Sequence, residues 1–106
     1  MKEIMVDGER FVRAADVGTD QHSFQIGEQY LIRTVTFYYT GRLVRITASD
    51  IVLEDAAWIA DTARFGTALI TGKLNEVEPY PDPVAVPRGA IVDFTKWRNP
   101  LPRNQT

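Results

Sequence analysis

Cysteine is missing altogether from the 106 residues. Its absence excludes a disulfide framework, a thiolate metal site and a cysteine nucleophile, and it fits a reducing compartment. Histidine occurs once, as His22. A single imidazole with no second ligand beside it belongs at a surface or a cap rather than on a metal. No uninterrupted apolar run approaches the roughly 20 residues of a membrane span. The opening stretch MKEIMVDGERFVRAAD holds no apolar core of signal-peptide length. A cytoplasmic location with no membrane partner is the expectation. An excess of positive charge is also missing: 12 Lys and Arg stand against 14 Asp and Glu, for a net charge of -2. Binding of nucleic acid by bulk charge is thereby excluded, although a local basic ring is not.

Catalytic signatures are equally scarce. Ser23 and Ser49 have no nucleophile motif around them, and no Gly-rich phosphate loop follows a strand. Two acidic pairs, Glu54 with Asp55 and Glu76 with Glu78, offer general acid–base or divalent-cation chemistry on paper. Neighbours on a strand point to opposite faces, so Glu54 and Asp55 are not expected to converge on one atom. Glu76 and Glu78 lie in an acidic stretch that reads as flexible. The expectation is a protein that is not an enzyme and carries neither cofactor nor metal.

What is present is strand sequence. The run from Tyr30 to Ala57, YLIRTVTFYYTGRLVRITASDIVLEDAA, is rich in Val, Ile, Leu, Tyr, Phe and Thr, which suit a half-buried pleated surface. It reads as a strand over Tyr30 to Phe37, a second over Leu43 to Thr47, a tight loop at Ala48-Ser49-Asp50 and a third beginning at Ile51 to Leu53. Gly41 marks either the turn between the first two or a kink inside one longer, bent strand. A second stretch, PVAVPRGAIVDFTKW from Pro83 to Trp97, reads as two short strands hinged at Arg88-Gly89. Five short strands suffice for a small closed barrel.

Between these stretches, Asp61 suits the N-cap of a helix over Thr62 to Ile70 that packs through Phe65 and Leu69, with Gly72 past its end. Asn75 to Asp82, with Pro79 and Pro81, reads as an extended connection. The tail from Trp97, with Pro100 and Pro102, is expected to be mobile or laid along a neighbour. The aromatic residues Phe37, Tyr38, Tyr39, Trp58, Phe65, Phe94 and Trp97 are assigned to core or interface. Charge is uneven: Gln29 to Ser49 holds Arg33, Arg42 and Arg45 and no acid, Asp50 to Asp82 holds seven acids against Arg64 and Lys73, and Lys96 to Thr106 holds Lys96, Arg98 and Arg103 and no acid. The acidic segment and the basic strand faces either meet between neighbouring copies or form solvated surface.

The stretch TGRLVRITASDIVLEDA resembles the first sequence motif of Sm-like (LSm) proteins, and PRGAIVDF resembles their second, an Arg-Gly hinge between two apolar strands. The motifs stand in the family's order and the resemblance, of bacterial or phage type, covers roughly half of the chain. It implies an all-β chain: a small, five-stranded, strongly bent Sm-like (SH3-type) barrel with an N-terminal helix or arm and a short inserted helix. On that reading residues 1–28 form the arm, 29–97 the barrel with a helix near 61–71 in an enlarged loop between the third and fourth strands, and 98–106 the tail.

The resemblance also implies a homo-oligomeric ring closed by edge strands, and single-stranded RNA held by loops around its pore. Carried over by motif, those loops are Ser49 and Asp50 before the third strand, and Arg88 and Gly89 at the hinge. A planar cation stacks on a base while neighbouring polar groups read its edge. Asp50 stands where the family carries an asparagine, and Ala48 or Ser49 where it carries a bulky stacking residue. A salt bridge from Arg88 to a neighbouring copy's loop aspartate, with Asp50 the candidate, is the competing role for that arginine. Two functions follow as expectations: an RNA-binding ring, or a structural assembly subunit that binds no RNA.

Overall fold

The computed structural model describes residues 24–106. The arm expected over residues 1–28 and His22 therefore fall largely or wholly outside the described residues. Six strands, a short helix and a 3-10 turn follow in order: β1 Gln29–Thr34, β2 Tyr38–Ile46, β3 Asp50–Asp61, α1 Phe65–Thr71, β4 Glu76–Pro79, β5 Val84–Pro87, a 3-10 turn Arg88–Ala90 and β6 Ile91–Lys96. The described residues are all-β apart from α1 and that turn. The strands form one antiparallel sheet in the order β4-β3-β2-β1-β6, and β5 pairs separately with β3.

The sixth strand arises from the length of β3. Its first half, Asp50 to Leu53, pairs with β5, and its second half, Ala57 to Asp61, pairs with β4. The stretch expected to be an extended connection is thus partly a strand, at Glu76–Pro79. The expected closed barrel of five strands is replaced by an open sheet of six. β5 and β6 make no ladder with each other, yet both reach one core: Val86 of β5 lies in it, and Ile91 and Phe94 of β6 pack against it.

The first turn also moves. Thr34 donates its hydroxyl to the Phe37 carbonyl at 2.7 Å and accepts the Phe37 N–H at 3.2 Å, so the hairpin turns at residues 35–37 rather than after Tyr38. Gly41 lies inside β2, the second of its two readings. Between the pairs Thr40–Ala57 and Arg42–Glu54, β3 carries one residue more than β2, a bulge that bends the strand. Asp55 in that bulge is left-handed, with φ 50°. A side chain at Gly41 would put its Cβ 2.9 Å from Leu53 Cβ, so the close approach of the strands requires glycine there.

β1 is buried on both faces. Tyr30, Leu31 and Ile32 are consecutive and all buried, which is why β1 reads as a continuous apolar run. Tyr30 and Ile32 join Leu43, Ile51, Leu53, Ala56 and Val86 in the first core. Leu31 faces the other way, onto Trp97 and Leu101, with Leu69 of α1 and Leu74 alongside. Ala57, Ile59 and Val77 extend that second layer. The tail expected to be mobile or laid along a neighbour instead packs on its own chain, through buried Trp97 and Leu101.

α1 begins three residues later than expected. The Asp61 carboxylate accepts the Ala63 N–H at 2.8 Å, and Ala63 is left-handed, with φ 57°. Asp61 therefore holds a turn ahead of the helix rather than capping it. Gly72 ends the helix as expected, in the left-handed region at φ 79°, its N–H on the Ala68 carbonyl. Ala68 is the buried residue of α1; Leu69 is half-buried and Phe65 is 36% exposed.

Candidate nucleic-acid interface

The loop between β2 and β3 is built on one threonine. The Thr47 hydroxyl accepts the backbone N–H groups of Ser49 and Asp50, at 3.2 and 2.9 Å. The Thr47 N–H in turn reaches the Asp50 carbonyl at 2.9 Å. Such a side-chain turn needs no glycine, so the chain reverses tightly through Ala48 and Ser49.

The β3–β5 ladder delivers the hinge to this loop. Asp50 is opposite Pro87 in the register, and the next residue, Arg88, opens the 3-10 turn. The Arg88 N–H donates to the Ser49 carbonyl at 2.8 Å. Its Nη1 donates to the Thr47 carbonyl, also at 2.8 Å. Two segments some forty residues apart in sequence thereby form one surface at one end of the sheet. Ser49, Arg88 and Gly89 are exposed and Asp50 is half-buried. All four residues singled out by sequence thus come together. Arg88 contacts the loop's backbone carbonyls within its own chain, rather than the Asp50 carboxylate. Gly89 has open space where a Cβ would stand.

Among the described residues, Arg33, Arg42 and Arg103 are engaged with carboxylates. Arg33 grips Asp93 with two donors, Nε at 2.8 Å among them. That hydrogen bond holds the Asp93 carboxyl below its ordinary range and raises Arg33. Arg42 Nη2 lies 2.7 Å from Asp55 and 3.5 Å from Glu54. Asp55 is held low first by the Arg42 hydrogen bond and then by the charge of Arg103. Glu54 and Asp55 therefore do reach one guanidinium, contrary to strand alternation: the bulge at Asp55 rotates its side chain out of register. Both carboxylates of the pair contact Arg42, Asp55 closely and Glu54 at the limit of an ion pair. Asp61 is lowered by the Ala63 N–H and by Asn75. The Tyr80 phenol is pushed up by burial beside Tyr39.

Among the described residues no group of three His, Cys, Asp or Glu side chains is placed to hold a metal ion. Arg45 and Arg88 are exposed arginines near this end of β2, β3 and β5. The surface presents cationic and polar groups together with the half-buried Asp50.

Sequence reasoning missed the role of the chain after Trp97. Asn99 donates to the Leu69 carbonyl at 3.0 Å, and Gln29 reaches the Trp97 and Asn99 carbonyls at 3.0 and 2.9 Å. The clues were polar residues with long reach, which carry no periodicity. No helix among the described residues is long and apolar enough to cross a membrane. Comparison with protein-family models, curated proteins and solved structures finds no match.

Proposed function

We propose that the chain is a non-enzymatic, Sm-like subunit that assembles with copies of itself into a ring and binds single-stranded RNA on the surface made by Ser49, Asp50, Arg88 and Gly89. The observation that carries this reading is the joining of loop 47–50 to the 88–89 hinge through Arg88. The two motifs that suggested the family lie far apart in the chain and meet in space.

Assembly is supported by sheet edges left open among the described residues. There β6 pairs only with β1, and β5 only with β3. Both are short, both flank the hinge, and unpaired edges of this kind invite pairing with another copy. Val92 on β6 is 55% exposed. The strand before Asp50 is β2: residues 38–42 are paired on both sides, with β1 and β3, whereas residues 44–46 pair with β3 alone among the described residues.

A second reading, a structural assembly subunit without RNA, is favoured by Asp50. A ring of its carboxylates repels phosphate, and one donor of Arg88 is already engaged. Titration of labelled oligouridine at low and at physiological salt separates the two. The RNA reading expects saturable binding that weakens as salt rises. It expects a loss of at least tenfold in Arg88→Ala, a smaller loss in Arg88→Lys, which keeps charge without the planar fork, and a gain in Asp50→Asn. Equal, negligible binding by all four proteins leaves the assembly reading. A strict monomer by light scattering at micromolar concentration removes both.

A further inference from the structure

β4 is the end strand of the sheet path, yet its outer edge is occupied. The Val77 N–H donates to the Thr106 carbonyl at 3.3 Å, and the Thr106 N–H to the Val77 carbonyl at 3.2 Å. This is the reciprocal pairing of an antiparallel ladder, made by a segment that is not itself a strand. Side chains add to it. Gln105 Nε2 reaches both carboxylate oxygens of Glu78, at 3.1 and 2.9 Å. Arg103 Nη2 lies 3.4 Å from Asp55.

These contacts are polar and lie at the surface. Residues 103–106 are all exposed, whereas the last apolar anchor of the segment, Leu101, is buried. A cleft runs beneath the segment, with Leu74, Val77, Pro100 and Pro102 among its walls. Residues 103–106 thus cover an edge without filling the space behind it. Little apolar area holds them there, and surface ion pairs of this kind contribute weakly.

We propose that the outer edge of β4 is a docking site for an extended, basic segment of a partner protein, and that residues 103–106 occupy it as a displaceable cover. The occupant on the page defines the chemistry. A backbone bridge to Val77 supplies strand addition. A side-chain amide meets Glu78, and a cation two residues before it meets Asp55. The edge itself is acidic, with Glu76 and Glu78 exposed on β4 and Asp61 opposite Glu76, so a basic segment is the complementary one. The inference stands apart from the RNA surface, which lies at the other half of β3.

The test uses the peptide PLPRNQT, residues 100–106, as the probe, and amide spectra of the labelled protein. A chain shortened after Pro102 is expected to show saturable peptide-induced shifts at Val77 and Glu78 up to millimolar peptide. The full chain is expected to bind at least tenfold more weakly, because its own segment competes. Glu78→Lys in the shortened chain is expected to lose at least tenfold. Equal binding by full and shortened chains, equal binding by Glu78→Lys, or no shifts at millimolar peptide overturns the proposal. Should the shortened chain fail to fold, the full-length double variant Arg103→Ala, Gln105→Ala decides. Hydrogen exchange at the Val77 amide is expected to quicken at least tenfold while Leu53 and Ile59 keep their protection. Unchanged Val77 protection, or loosening of the whole sheet with it, shows an integral part of the fold and overturns the proposal.

Discussion

The two faces of the sheet are built by different means. The first core is closed by the strands themselves: β1, β2, β3 and β5 supply its buried residues, and β6 packs on it. The second core is closed by what lies outside the regular strands, namely α1, Leu74 and the chain from Trp97 to Leu101. The first layer carries the loops at 47–50 and 88–89. The second carries the covered edge of β4. The difference shows that an apparent insertion and an apparent tail complete one sheet whose β1 is apolar on both sides. Leu31, wholly buried between neighbours that face the first core, demands that cover.

Trp97→Ala is the substitution expected to have the largest effect. Trp97 is 2% exposed, and its indole N–H donates to the Pro100 carbonyl at 3.1 Å. Loss of about 3–5 kcal/mol in urea unfolding is expected, with a single transition showing that both layers unfold together. A second, early transition confined to the tail would separate the layers. Gly41→Ala probes the first layer. Its Cβ would stand 2.9 Å from Leu53 Cβ and 3.3 Å from Ala56 Cβ, so about 1–3 kcal/mol is expected from overpacking. An unchanged midpoint would mean that the bulge at Asp55 relaxes freely.

Phe65→Ala is expected to cost less than a core aromatic. Phe65 is 36% exposed and meets Tyr38 edge-on with ring centroids 5.7 Å apart. A loss of about 1–2 kcal/mol follows from partial burial and one aromatic contact, read in the same urea titration. A loss as large as that of Trp97→Ala would make α1 a main prop of the second layer. Gly89→Ala is expected to be smallest, within about 0.5 kcal/mol, since nothing lies within 4 Å of its Cβ position. If that variant keeps its stability and loses oligouridine binding, Gly89 matters for the surface and not for the fold.

Much of the first layer was legible because its signals are local. Val, Ile and Leu runs gave the strands, and Thr47 to Asp50 and Arg88-Gly89 gave the loops. The four candidate site residues were found by motif, and the β3–β5 register brings them together. The turn at residues 35–37 was misplaced because it rests on the Thr34 hydroxyl and contains no glycine or proline. β4 was hidden by Pro79 and two glutamates, residues that disfavour strands. Tertiary context overrides them: Val77 is buried against Ala57 and Ile59 while Glu76 and Glu78 stay in solvent. Asp61 was a sound capping residue, but it caps a turn, because Ala63 is left-handed and delays the helix. The role of the tail was not legible. It depends on Asn99, Gln105 and Thr106 meeting partners thirty or so residues away.

The most direct test of the proposed RNA surface is a photo-crosslinking map. A short oligonucleotide of 4-thiouridine is irradiated with the full-length protein at physiological salt, and the attached peptides are identified after digestion. The account predicts crosslinks concentrated on residues 47–50 and 88–89, suppressed by unlabelled oligouridine and reduced in Arg88→Ala. Crosslinks confined to α1, β4 or residues 97–106, or none above the level of an unrelated acidic protein, would contradict it.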